Sequence, residues 1–181
     1  MVTGRNETRD RILQAASELA WETGPGNLSL DAVAAKAGVS KGGLLYHFPS
    51  KSRLLEATVE TFVQEYDQTL KAREADRPPG SHAVAHAYLD LFVEQHVCKR
   101  PPSSGILAAL AEDPSFLNPV RRYERELLDR IKADLGDPEL AMILYCAISG
   151  LKSSDLLSLD VAKPDEIKSL IERLRALISQ R

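Results

Sequence analysis

LSLDAVAAKAGVSKGGLLYHFPSK, Leu28 to Lys51, decides how the rest of the chain is read. Ser29 is placed to cap a helix, and Asp31 in its first turn complements the helix dipole. Leu30, Val33, Ala34 and Ala37 fall on one face of that helix. Gly38 follows where a left-handed residue ends a helix most easily. Ser40 then opens a second short helix, Lys41 to His47, which Pro49 stops. Helix, Ala-Gly-Val turn and helix in this order make a helix-turn-helix.

The second of these helices contains Gly42 and Gly43, each costing about 1 kcal/mol relative to Ala in a helix interior. A helix that only supports the fold gains nothing from them. One whose N-terminal end presses against a phosphate backbone or base edges does gain, because no Cβ stands in the way. Leu44 and Phe48 are four apart and suit the core, leaving Lys41, Tyr46 and His47 outside. The chain's net charge of −3 argues against a protein that coats nucleic acid, yet no acid occurs between Ala32 and Leu55. Lys36, Lys41, Lys51 and Arg53 all lie in that window, where a phosphate-facing surface is expected unless the gap is chance.

Upstream, Arg9 to Glu22 carries Ile12, Leu13, Ala16, Leu19 and Ala20 on one helical face, and Gly24-Pro25-Gly26 stops it. Trp21 reads as a core anchor; Arg5, Arg9 and Arg11 sit near the start, within reach of a backbone. Downstream, Lys51 to about Ala72 is a long amphipathic connector. Further helices follow: one capped by Ser81 and running to Val97, a short one from Ile106 to Ala111, and one from Phe116 to Leu135. Asp137-Pro138 then starts a helix to about Leu159, and Pro164 starts the last. The predicted fold is all-α with about nine helices. With 44% hydrophobic and 27% charged residues among 181, and no run of about 18 apolar residues, no membrane span is expected. The polar N-terminus lacks the apolar core of a signal peptide, and Cys98 and Cys146 read as reduced thiols, so a cytoplasmic protein is expected.

Gly24 to Leu55 resembles the DNA-binding domain of the TetR family of bacterial transcriptional regulators. Gly24, Ser29, Val33, Ala34, the run Ala37-Gly38-Val39-Ser40-Lys41-Gly42, Tyr46-His47-Phe48, Ser50-Lys51 and Leu54-Leu55 carry the resemblance. It implies a DNA-binding domain over 1–50 and a ligand-binding and dimerisation domain over 51–181. Ser29, Ser40, Lys41, Tyr46, His47 and Lys51 match positions at or near DNA, and Gly42 joins them at the reading end of the recognition helix. The two serines and Lys51 suit phosphates; Tyr46 and His47 suit a phosphate or a thymine methyl. Leu45 departs from the family, many of whose members have an aromatic there.

The resemblance further implies a homodimer on a palindromic DNA operator, acting as a repressor released by a small effector. Phe62, Tyr66, Tyr88, Phe92, Tyr123 and Ser149 are the pocket candidates, each open to plain core packing instead, and their character suggests an apolar or amphipathic effector. Leu144, Ile148 and Leu151, with the coiled-coil-like spacing of Ile167, Leu170, Leu174, Leu177 and Ile178, are the expected dimer interface. His82 and His86 have metal-ligand spacing but no third ligand in reach on their helix, so neither metal nor cofactor is expected. Without a GxSxG elbow, Gly-rich phosphate loop or HExxH pair, the chain does not read as an enzyme. The alternative is a ligand-sensing helical protein that acts through protein partners without specific DNA binding.

Overall fold

The computed structural model describes residues 3–23, 28–97, 117–157 and 159–180. Among them are eight helices and no strand: α1 (Thr3–Thr23), α2 (Leu30–Ala37), α3 (Lys41–His47), α4 (Lys51–Ala75), α5 (Ala83–Val97), α6 (Asn118–Leu135), α7 (Pro138–Leu157) and α8 (Pro164–Ser179). Gly24-Pro25-Gly26, Cys98, Phe116 and the expected helix Ile106 to Ala111 lie outside the described residues, as do the side chains of Arg5 and Trp21. The chain forms two compact units. One holds α1 to α3 and α4 as far as Gln64, with the first turn of α6; the other holds α4 from Glu65, α5, α6 from Tyr123, α7 and α8.

The first unit is organised around one small core. Ile12, Leu13 and Ala16 from α1 meet Val33, Ala34 and Ala37 from α2, Leu44 and Phe48 at α3, and Leu54 and Leu55 from α4. Each fully buried Ile, Leu or Val stabilises by about 1.5–3 kcal/mol. The caps expected from the residue types are in place. Ser29 Oγ accepts from Ala32 N–H at 3.1 Å, and Ser40 Oγ from Gly43 N–H at 3.0 Å. Gly38 is left-handed at φ 66°. Its N–H donates to the carbonyl of Ala35 and that of Val39 to the carbonyl of Ala34, which is the Schellman closure.

The second unit packs α5 against α7 and α8. Asp137 caps α7 by accepting from Leu140 N–H at 2.9 Å, and Pro138 opens it as expected. The start of α5 corrects the reading of Ser81. Its hydroxyl turns back to the carbonyl of Pro78, and the helix begins only after His82, at φ 51°. A residue from α6, Asp134, supplies the cap instead: its carboxylate accepts from Ala85 N–H at 3.0 Å, and its carbonyl bonds His82.

The expected dimer seam also needs correction. Leu144, Ile148, Leu174 and Ile178 are between 0% and 2% exposed in the single chain. They are packed inside their own unit and have no surface left for a partner. An apolar stripe at heptad spacing shows that a helix is covered, not which neighbour covers it. Leu151, Ile167 and Leu177 stay half-buried, and Leu170 is exposed. On α7 the exposed apolar residues are instead Met142, Ile143 and Leu157.

The left-handed turn can be tested directly. Gly38→Ala meets nothing within 4 Å, so its cost is that of the backbone alone, about 1–2 kcal/mol. Urea unfolding is expected to show that loss, with a smaller one for Gly38→Asn.

Candidate functional site

The α2–turn–α3 corner presents α3 outward. Leu44 and Phe48 anchor it in the core, while Lys41, Gly42, Leu45 and Tyr46 face solvent and His47 is half-buried. Tyr46 is 67% exposed, and its ring meets His47 edge-on at 5.4 Å between centroids. An exposed aromatic pair at the end of a solvent-facing helix makes sense as a contact surface. Ser29, Ser40 and Lys51 stand at the starts of α2, α3 and α4. The hydroxyls of the two serines are already engaged as caps, so any phosphate they meet is received by the helix N-termini they hold in place.

The two glycines of α3 separate. A Cβ at Gly43 would lie 3.3 Å from Ser40 Oγ, and the same residue's N–H is the one Ser40 caps. Gly43 is therefore explained by the cap. Gly42 is exposed, and a Cβ there would meet nothing within 4 Å. Nothing among the described residues asks for glycine at 42.

The acid-free window of sequence is not an acid-free surface. Lys36 binds Glu22 at 2.7 Å and Glu18 at 3.3 Å from α1, and these bonds raise its pKa. Lys41 pairs with Asp31 at 3.0 Å, and Arg53 with Glu56 at 2.7 Å. Arg11 donates to the carbonyl of Ala37 at 3.0 Å, closing the end of α2, and Arg9 lies over the Phe48 ring at 5.5 Å. Arg9 and Arg11, read as backbone contacts, thus have a structural task first. Lys41 and Asp31 are both well exposed, so their pair contributes at most about 1 kcal/mol and opens readily to a phosphate.

The pocket candidates do not gather as one set. Phe62 belongs to the first unit and is exposed. Phe92 is buried and stacks on His96 at 5.3 Å. Tyr66, Tyr88 and Tyr123 do come together in the second unit, near Ser149. Three residues absent from the sequence prediction complete the group: Glu124, Tyr145 and Lys152. Tyr145 donates to Glu124 at 3.0 Å, and the Lys152 ammonium donates to Tyr66 Oη at 2.8 Å. The signal was present, since Tyr145, Ser149 and Lys152 are spaced four and three apart on one face of α7. Burial pushes the Tyr145 hydroxyl up to about 12 and brings the Lys152 ammonium down to about 8.

Elsewhere in that unit an open groove of about 590 Å³ is lined by Arg73, Arg77 and Arg175 with Asp76, Asp90 and Glu94. Its arginines pair with Glu94 and Asp90, leaving it neutral. His82 is held by the Asp134 carbonyl, and burial lowers the pKa of His86. Among the described residues no three His, Cys, Asp or Glu converge as a metal site, and no helix is long and apolar enough to cross a membrane.

A helix-turn-helix head joined by a long helix to a second helical unit defines a class of bacterial regulator. Residues 12–58 match the model for bacterial regulatory proteins of the tetR family, and residues 82–179 match that for the tetracyclin repressor-like C-terminal domain. The chain belongs to the TetR family. It is 32% identical over 112 residues to the HTH-type transcriptional regulator UidR of Escherichia coli K12, covering 62% of this chain and 53% of that one. The curated relatives it matches are spanned over about a quarter to a half of their length, 25% to 53%. The fold is shared with the transcriptional regulator SCO7518 of Streptomyces coelicolor, at TM-score 0.72 and 21% identity over 97% of this chain and 99% of that one. It is shared also with the multidrug binding protein EbrR in complex with malachite green, at TM-score 0.67 and 22% identity over 95% and 96%.

The difference between the two glycines predicts unequal effects on stability. Gly42→Ala is expected to stabilise the protein by about 0.5–1 kcal/mol in urea titration, because it gains helix propensity at no steric cost. Gly43→Ala crowds the Ser40 cap, so less than half of that gain is expected.

Proposed function

We propose that this chain is a DNA-binding transcriptional regulator that reads a palindromic operator as a homodimer through α3. The observation that carries the reading is Gly42: a helix-weakening residue on an exposed face, with no reason for it among the described residues. Close approach of another molecule supplies the reason, and the N-terminal end of a recognition helix is where base edges are met. Family membership supports the same direction. Lys41, Tyr46 and His47 then flank the contact, while the capped starts of α2, α3 and α4 receive phosphates with Ser29, Ser40 and Lys51.

The dimer forms through the outer faces of α7 and α8. Met142, Ile143, Cys146, Gly150, Ser153 and Leu157 make one exposed stripe of apolar and small residues on α7, and Leu170 is exposed on α8 beside half-buried Ile167 and Leu177. A stripe of this kind admits a second helix closely. Repression relieved by an effector is the expected mode. α4 runs unbroken from the first unit into the second, so a ligand that binds the second unit better in one setting of α4 shifts the population toward that setting.

Selection of genomic DNA on the purified protein, followed by salt titration of the selected fragment, tests the reading. Affinity is expected to fall steeply as salt rises; failure to bind any fragment at low salt would favour a sensor acting through protein partners. Lys51→Ala should weaken binding almost uniformly across sequences and lower the salt slope by about one. Gly42→Ala should weaken DNA binding although it stabilises the free protein. The double variant Ile143→Glu, Leu170→Glu should be monomeric by light scattering and should lose operator affinity.

A further inference from the structure

The tyrosine cluster of the second unit points to the chemistry of the effector. Lys152 on α7 holds its ammonium 4.8 Å from the ring centre of Tyr66 and 4.7 Å from that of Tyr88. An ammonium carries three N–H donors, and among the described residues Lys152 spends one, on Tyr66 Oη. The acid that acts on it is Glu124, whose carboxylate is engaged by the Tyr145 hydroxyl. The hydroxyls of Tyr88 and Tyr123 are buried and meet no partner at hydrogen-bond geometry among the described residues, with Ser149 beside the first and Asp67 beside the second. Buried polar groups are nearly always satisfied, by protein, water or a ligand, so these two hydroxyls are placed to receive a ligand's acceptor. Around them the rings form walls: Tyr66 meets Tyr123 edge-on at 5.8 Å, and Tyr88 stacks with Tyr145 at 6.3 Å.

Resting on the regulator reading above, we propose that the effector is a small organic anion, a flat carboxylate whose charged group is received by Lys152 with the hydroxyls of Tyr88 and Tyr123. The unused capacity of Lys152 is donor capacity alone, and each phenol can donate beside it, so an acceptor-bearing anion completes the cluster. Its aromatic faces already hold a cation, the chain's own ammonium, which a cationic ligand would have to displace. Burial raises the pKa of Tyr88 and Tyr123, so both keep the proton they donate. This refines the apolar or amphipathic effector expected from residue types: the tyrosine rings take the flat body, and Lys152 adds a charge requirement.

Three probes of one shape and different charge test the proposal: benzoate, benzamide and benzamidine. Calorimetry and thermal melting of the full chain are expected to show benzoate binding and raising Tm, with benzamide at least about tenfold weaker. Lys152→Met should abolish the preference for benzoate over benzamide. Tyr88→Phe and Tyr123→Phe should each weaken benzoate severalfold while changing the Tm of the ligand-free protein little, since neither hydroxyl makes a hydrogen bond of good geometry among the described residues. Lys152 faces Tyr66 from α4, Tyr88 from α5 and Glu124 from α6, and none of these tyrosines ionises near neutrality. Benzoate affinity should therefore fall by about tenfold per unit above about pH 8, as Lys152 loses its proton. Tighter binding of benzamidine, equal binding of benzamide, or no binding of benzoate at any concentration the protein tolerates would overturn the proposal. Ligand-free binding to the selected DNA fragment is measured on the same sample. If DNA binds and benzoate does not, the anion proposal falls alone; if benzoate binds and no DNA does, the regulator reading falls alone.

Discussion

The direction in which α3 points depends on one left-handed residue. Gly38 turns the chain at the end of α2, and the carbonyls released there are taken by Gly38, Val39 and the Arg11 guanidinium. With its exit closed in this way, α2 passes the chain to Ser40, and Leu44 and Phe48 drop into the core made by Ile12, Val33 and Leu54. Seven residues of α3 cannot hold themselves helical in water. They are held by the Ser40 cap at one end and the buried Leu44 and Phe48 at the other. The exposed face of α3 is thus the by-product of a well-determined inner face, which is what a reading surface requires.

Electrostatics at the head follow a different logic. The basic residues are not a free positive patch, because Glu18, Glu22, Asp31 and Glu56 sit on them. Exposed pairs of this sort contribute little to stability and are screened by salt. Their effect is to hold lysines and arginines in set positions and to lower non-specific attraction for any polyanion. For the proposed operator-binding role, a muted field combined with a shaped contact is a reasonable compromise.

In the second unit the division between inside and outside decides function twice. Leu144, Ile148, Leu174 and Ile178 are consumed by the unit's own core, which leaves Met142, Ile143, Leu157 and Leu170 as apolar surface. Inside, the tyrosines from α4, α5 and α6 close around Lys152 from α7. Aromatic rings provide the packing, and their hydroxyls with one ammonium provide a polar centre that the described residues leave with hydrogen-bonding capacity to spare.

By itself the sequence determined the helical class, the position of the helix-turn-helix, its caps and its turn, because these rest on local rules: a serine before a helix, a glycine after it, apolar residues three and four apart. Ser29, Gly38, Ser40, Asp137 and Pro138 all do what their types dictate. Only the tertiary structure decided what depends on contacts between distant segments. Ser81 lost its capping role to Asp134, fifty-odd positions away, and the acid-free window filled with carboxylates from α1. The seam on α8 was real, but at Leu174 and Ile178 its covering came from the same chain, and Phe62 stayed exposed while Tyr88 and Tyr123 were buried. Glycines 42 and 43, identical in sequence logic, became distinct once a Cβ could be placed at each. Periodicity reports that a face is buried; only packing reports what it is buried against, and the feature that organises the head, an α3 made helical at Gly43 and bare at Gly42, needed both.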